Sequence, residues 1–262
     1  MAFALFNNFW DYIFKWTPQS KQIISPPSLY VPKEFRVTDN AIKRKFLEEN
    51  SFGTFISTSK QGRIFTSQLP FYLEFNNENE LTSMRAHLAL ANDQYNHTIR
   101  DVTFAANKEV VVTFLGPHFY ISATWFGEEL KLKSVPTWNY SSMEVRGILE
   151  EITADEEKNE LLSRLSKSNE DAILKMNAEH DAWIYEEANK AIMEGLKNKI
   201  RFFKIKVHAV AGKFKLSQNK PEEVIESLAE GLQNTKNQEA NTVANQMLDL
   251  LNARQSATDD PV

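Results

Sequence analysis

Lys213 and Lys215 stand two apart in the stretch Gly212-Lys213-Phe214-Lys215-Leu216-Ser217-Gln218-Asn219-Lys220. In a β-strand, such positions project from the same face. Two ammonium groups there would suit an anion such as a phosphate, with Ser217 and Gln218 as neutral partners. On an edge strand the same lysines would simply be solvated. Trp138 and Asn139 follow Pro136 in what reads as a short loop. They offer an aromatic slab beside an amide that can donate and accept, although a loop Trp can equally plug a core. His118, after Gly116-Pro117, either faces a pocket or caps a turn. The other histidines are His87, His97, His180 and His208. None pairs with another at metal-like spacing, so no zinc or non-haem iron site is expected. The chain has no Gly-rich phosphate loop, nucleophile elbow or HExxH motif.

The elements that must position these residues change character along the chain. Met1 to Trp16 is apolar and aromatic apart from Asn7, Asp11 and Lys15 at i, i+4 and i+8. A helix there would have a narrow polar edge. It could pack on the parent domain or a dimer mate, or lie in a membrane interface. Residues 17–32 hold four prolines and read as an extended linker. A helix is expected from Asp39 to Asn50, capped by Thr38 or Asp39. Strands are expected at 53–59, 64–75, 109–115 (closed by Gly116-Pro117), 119–126 and 143–152. Residues 155–199 read as two or three helices, with Thr153 and Glu156 at capping-box spacing. A strand pair broken at Gly212 occupies 201–216. A helix opened by Pro221 runs to about Leu232, a further helix covers 237–253, and the end from Gln255 looks frayed. Many short strands with helical insertions spell an antiparallel barrel, mainly β or α+β.

Composition excludes some functions. The net charge of −5 and the absence of a helix-turn-helix signature argue against direct nucleic acid binding. With no Cys there can be no disulfide, thiolate metal site or cysteine nucleophile, which fits a reducing, cytoplasmic setting. No apolar run approaches the roughly 20 residues of a membrane-spanning helix. The 18 Phe residues suit a barrel interior or a flat-ligand pocket.

Four stretches, in order, resemble the PaiB family. They are Leu29-Tyr30-Val31-Pro32-Lys33-Glu34-Phe35 with Asn50-Ser51-Phe52-Gly53-Thr54; Gly116 to Ser122 with Trp125; Ser134 to Tyr140; and Gly212 to Lys220. The resemblance covers about Leu29 to Leu232 and implies an FMN-binding split β-barrel at 29–232. The helical insertion at 155–199 would lie inside it, with 1–28 and a helical C-terminal tail at 233–262 as extensions. It also implies a homodimer with the cofactor near the subunit interface. Haem is the alternative cofactor, since some split barrels bind it.

In such barrels the strand holding Thr66, Ser67, Gln68 and Leu69 runs along the flavin ring, although the family tends to carry His where this chain has Gln68. His87 and Asn92 stand in register with a family motif, but Leu90 replaces its basic residue and Asp93 its Pro. Arg85 is the nearest cation that could compensate. Trp138, Asn139, Lys213, Lys215 and Gln218, with His118, complete the expected contacts. The functions implied are a flavin-dependent oxidoreductase acting on a small molecule or, alternatively, a non-enzymatic ligand-sensing or regulatory protein.

Overall fold

The computed structural model describes residues 26–100, 109–127, 129–177, 179 and 181–258. The expected helix at 1–16, the linker residues 17–25, His180 and the last four residues lie outside them.

The first helix, α1 (Asn40–Glu49), starts where Asp39 Oδ1 accepts from the Ala41 and Ile42 N–H groups at 2.7 and 3.1 Å. That cap satisfies two of the donors that a helix start leaves free. Eight antiparallel strands follow the order β3-β2-β6-β7-β8-β5-β4, with β1 (Arg36–Val37) on β8. The strands are β2 (Phe52–Thr58), β3 (Ile64–Pro70), β4 (Tyr72–Phe75), β5 (Leu81–Ala89), β6 (Glu109–Ile121), β7 (Thr137–Ile152) and β8 (Ile200–Lys215). β3 and β4 lie at opposite ends of this order, yet Phe71 alone separates them in the chain. The sheet must therefore curl until its ends meet, which makes an antiparallel split barrel.

Alternating side chains fill the barrel. Phe55, Phe71, Phe114 and Phe203 are fully buried. Phe55 stacks on Phe203 with ring centroids 5.1 Å apart, and Phe71 meets Phe114 edge-on at 5.8 Å. Each buried Phe contributes roughly 1.5–3 kcal/mol by area.

Helices cover two outer regions. α2 (Asp155–Met176) seats Leu161 and Leu165 on Ile152 and Phe202, and α3 (Lys190–Lys197) follows. α4 (Glu222–Asn234) and α5 (Gln238–Thr258) bury Val224, Leu228, Val243 and Met247 together against Ile121 and Leu216. No helix among the described residues is long and apolar enough to cross a membrane.

Several expected boundaries move. The run 64–75 breaks at Phe71, which turns into the core. Gly116-Pro117 does not close its strand, because a bulge between Leu115 and His118 absorbs the pair and β6 continues to Ile121. Residues 123–126 form a 3-10 turn rather than extended chain, capped by Ser122. Trp138 and Asn139 sit in β7, not in a loop, and β8 is one unbroken strand through Gly212. The glycine there leaves room for β1, since a Cβ would stand 2.9 Å from that of Val37. Helix α2 begins after Ala154 with no side-chain cap, so Thr153 does not form the expected capping box. Thr258 rather than Ala253 ends α5. β5 arises in a stretch without a clear alternating pattern, because four successive residues, Ser83 to Ala86, are buried.

Candidate functional site

Strand register decides which expected residues meet. Cross-strand partners share a face, and here Thr54 pairs with Gln68 and with Thr113, Thr113 with Glu144, and Glu144 with Ala211. Following the alternation along each strand, Thr66 and Gln68 of β3 lie on the same outward face as Trp138 of β7 and Lys213 and Lys215 of β8. His118 and Tyr120 of β6 share it, opposite Tyr140 and Trp138. This face is open on β2, β3 and β6, where Phe52, Ile64 and Leu115 are exposed.

The groups on this face are held individually. The Gln68 amide exchanges hydrogen bonds with Thr54 Oγ1 at 2.9 and 3.0 Å. Half-exposed Trp138 lies against the rings of His118 and Tyr120, with centroids at 5.9 and 6.2 Å. His118 Nδ1 stands 3.0 Å from Glu239 Oε1 and 3.1 Å from the Gly116 carbonyl, so it both caps the bulge and borders the face. Lys213 is buried between the rings of Tyr30 and Tyr140, its Nζ 5.5 and 5.4 Å from their centroids. Lys215 Nζ donates to Thr137 Oγ1 at 2.7 Å and to the Trp138 carbonyl at 2.6 Å. Burial, and then the charges of Lys213 and Lys220, hold the Lys215 ammonium below the usual lysine range.

Three hydrogen-bonded networks and one core contact flank the face or lie behind it. Ser67 points the other way and donates to Gln94 Oε1 at 2.7 Å, while Asn92 Nδ2 donates to Ser67 Oγ at 3.0 Å. Buried Gln94 also donates to Ser57 Oγ at 2.9 Å and so ties the loop after β5 to β2 and β3. Its place carries no sequence signature apart from following Asn92, whose Oδ1 accepts the Gln94 N–H. Leu69 packs on the barrel core. Asn139, with no exposed surface, exchanges hydrogen bonds with Ser217 Oγ at 3.0 and 3.1 Å beneath α5. Gln218 folds back on the Leu216 N–H and the Phe214 carbonyl. These side chains hold the scaffold in place.

His87 lies apart, on β5, its ring tilted against Phe202 at 5.8 Å. Its Nδ1 is buried without a hydrogen-bond partner, and burial lowers its pKa. Arg85 does not replace the cation missing at Leu90. Its guanidinium is committed to Glu74 at 2.6 Å and Glu160 at 3.1 Å, and lies over the Tyr72 ring. Among the described residues no group of three or more His, Asp or Glu side chains is placed to hold a metal ion.

FMN carries a dianionic phosphate and a flat ring with a polar edge. The donor set of the outward face matches it in kind, with an exposed indole, hydroxyl and amide groups on one strand, and two cations. Among the described residues, neither Lys213 nor Lys215 ion-pairs with a carboxylate. The class of protein so defined is an antiparallel split barrel.

A family described as "Putative FMN-binding domain" matches residues 29–209, and the chain belongs to it. The protein "Protease synthase and sporulation protein PAI 2" of Bacillus subtilis (strain 168) is 34% identical over 226 residues, covering 85% of this chain and 98% of that one. "Uncharacterized protein AN0679" of Emericella nidulans is 26% identical over 231 residues, covering 78% and 90%. Among solved structures, the FAD and heme binding protein from Mycobacterium smegmatis aligns with a TM-score of 0.46 at 12% identity, covering 69% of this chain and 73% of that one.

Proposed function

We propose that this chain is a homodimeric FMN-binding protein that serves as an oxidoreductase for a small molecule. The observation that carries this reading is the outward face. In a chain of an FMN-binding family, one sheet surface gathers Thr66, Gln68, His118, Trp138, Lys213 and Lys215. Thr66 and Gln68 would hydrogen-bond the ring edge, Trp138 would supply an apolar slab, and Lys213 and Lys215 would offset the phosphate charge. Bound FMN would supply hydride and electron transfer at its ring. The chain's own part is to orient the ring and exclude water. His118, paired with Glu239 at the margin of the face, can hold a proton there.

A second copy would cover what one copy leaves bare. Phe52 and Leu115 on this face are 63% and 58% exposed, and an apolar sheet surface of this kind suits an isologous dimer.

The test is an absorbance spectrum of protein purified without added cofactor, followed by heat release and chromatography of the supernatant. Flavin bands near one equivalent per chain, identified as FMN and bleached by a nicotinamide donor, are expected. A colourless protein that ignores added FMN would overturn the flavin reading and put the non-enzymatic, ligand-sensing reading first. A Soret band would assign the site to haem instead.

A further inference from the structure

Beside the outward face lies a cavity of about 370 Å³ between the segment 133–137 and the turn 215–220. Its lining includes Lys133, Lys215 and Lys220 and, among the described residues, no Asp or Glu. Buried Phe35 and Phe126 wall it. Lys215 enters it on a fixed stem. Two of its N–H groups are held by Thr137 Oγ1 and the Trp138 carbonyl, and the third has no acceptor among the described residues. Lys220 lies over the Phe126 ring, its Nζ 5.9 Å from the centroid. Ser217 sits at φ 62°, in the left-handed region that a non-glycine residue adopts only when its surroundings hold it. Its hydroxyl is locked to Asn139, so the turn carrying Lys220 is anchored to the core.

Three lysines around so small a space carry like charge, and among the described residues no Asp or Glu lines it. Burial, and then the charges of Lys213 and Lys220, lower the pKa of Lys215 at the edge of this cavity. We propose that this cavity binds the dianionic phosphate group of a phosphate monoester. A phosphate presents three terminal oxygens and nearly two charges, which three ammonium groups and the nearby Ser134 and Thr137 hydroxyls can share. A monocarboxylate would leave most of the cationic repulsion unrelieved.

A larger cavity of about 760 Å³ adjoins it, sharing Phe35, Asn219 and Lys220, and adds the apolar Ile42, Phe214 and Leu250. It has room for the organic body of such an ester. The phosphate can come from either of two sources, FMN itself or a phosphorylated substrate. The site stands on its own geometry and does not depend on the flavin reading.

Inorganic phosphate is the probe, titrated calorimetrically at low ionic strength into the full chain. Lys133 and Lys220 are exposed, so the double variant K133Q/K220Q should keep the wild-type Tm while its phosphate affinity falls about tenfold or more. The K133R/K220R pair should retain binding, and added salt should weaken it in the wild type. Wild-type protein that fails to bind phosphate, or a Gln pair that binds it equally well, would overturn the proposal.

FMN and riboflavin titrations of the same variants then separate the sources. Loss of FMN affinity with riboflavin unchanged, and competition between phosphate and FMN, would assign the cavity to the flavin's own phosphate. Unchanged FMN affinity, with phosphate still binding the FMN-loaded protein, would assign it to a substrate. Lysine-dependent phosphate binding by a chain that takes no flavin would uphold this cavity while removing the flavin reading.

Discussion

Asn139 and Trp138 are neighbours in β7, and strand alternation gives them opposite tasks. Trp138 stands in the open, whereas the Asn139 amide is sealed under α5 with the Ser217 hydroxyl and Met247 sulfur. Replacing Asn139 by Ala would leave that hydroxyl without its buried partner and should cost about 2–3 kcal/mol, measurable by urea unfolding. Trp138→Ala should leave stability nearly unchanged, so the pair separates scaffold from surface. Both residues could be singled out in the sequence as a possible ligand contact, but only the strand register shows that the amide turns inward. His87 is legible in the sequence as a residue in register with a family motif, but its burial beside Phe202 is not. Its folded pKa is lowered by burial, so the unfolded chain binds the proton more readily. Its neutral form is therefore favoured in the folded state. Stability should fall as pH drops below about 6.5, the unperturbed value, and level off below the folded pKa. Comparing Tm against pH for wild type and His87→Gln should show curves that converge at neutral pH and at lower pH shift apart in favour of the variant. Parallel curves would mean that the ring is solvated.

At the scale of elements, close approach decides where side chains fit. Gly231 lies inside α4, where Ala would ordinarily favour a helix by about 1 kcal/mol. A Cβ there would stand 2.5 Å from the Trp125 ring, which the 3-10 turn Ala123–Phe126 presses onto α4. Ser227 Oγ donates to the Trp125 carbonyl at 2.8 Å and fixes that turn. Overpacking costs about 1–3 kcal/mol, so Gly231→Ala should lower stability despite the better propensity, with a loss of the inter-element contact visible in Trp fluorescence. An unchanged or raised unfolding midpoint would show that the turn yields. The helices α1 and α4 are readable from capping and periodicity, and the phenylalanine-rich barrel interior follows from the alternating strands. β5 is not readable, because its run of buried residues has neither a strand's nor a helix's clean period. The continuation of β6 past Gly116-Pro117 is equally hidden, since a bulge absorbs residues that otherwise signal a turn. Most of the candidate face was named in the sequence through its similarity to one family. Its assembly was not, because Thr66, Trp138 and Lys215 come from three strands whose order β3-β2-β6-β7-β8 is set by pairing across the sheet.

The whole molecule protects two of its outer regions and leaves a third bare. α2 covers the end of the sheet near Ile152 and Phe202, and α4 with α5 covers the end near Ile121 and Leu216. The outward side of β2 and β3, and of β6 at Leu115, stays largely open, with Phe52 and Leu115 exposed, although Glu239 of α5 reaches His118. Ser28 reaches this sheet farther along, accepting from Arg146 Nη2 at 2.6 Å and donating to Glu144 Oε2 at 2.9 Å. A stable dimer needs about 800 Å² from each partner, and a curved sheet face bearing exposed aromatic and aliphatic side chains has the character to supply it. Carboxylates placed on that face would be buried without partners in a dimer but solvated in a monomer. The double variant F52D/L115D should therefore sediment as a monomer with an unchanged far-UV spectrum, while the wild type sediments as a dimer at micromolar concentration. If the flavin lies where two such faces meet, the monomer should also lose FMN, and the loss should track the fraction dissociated as protein concentration is varied. A variant that stays dimeric would move the interface elsewhere on the barrel. A monomer that keeps full FMN affinity would confine the flavin to the face of a single chain, where Thr66, Gln68, Trp138 and the two lysines stand.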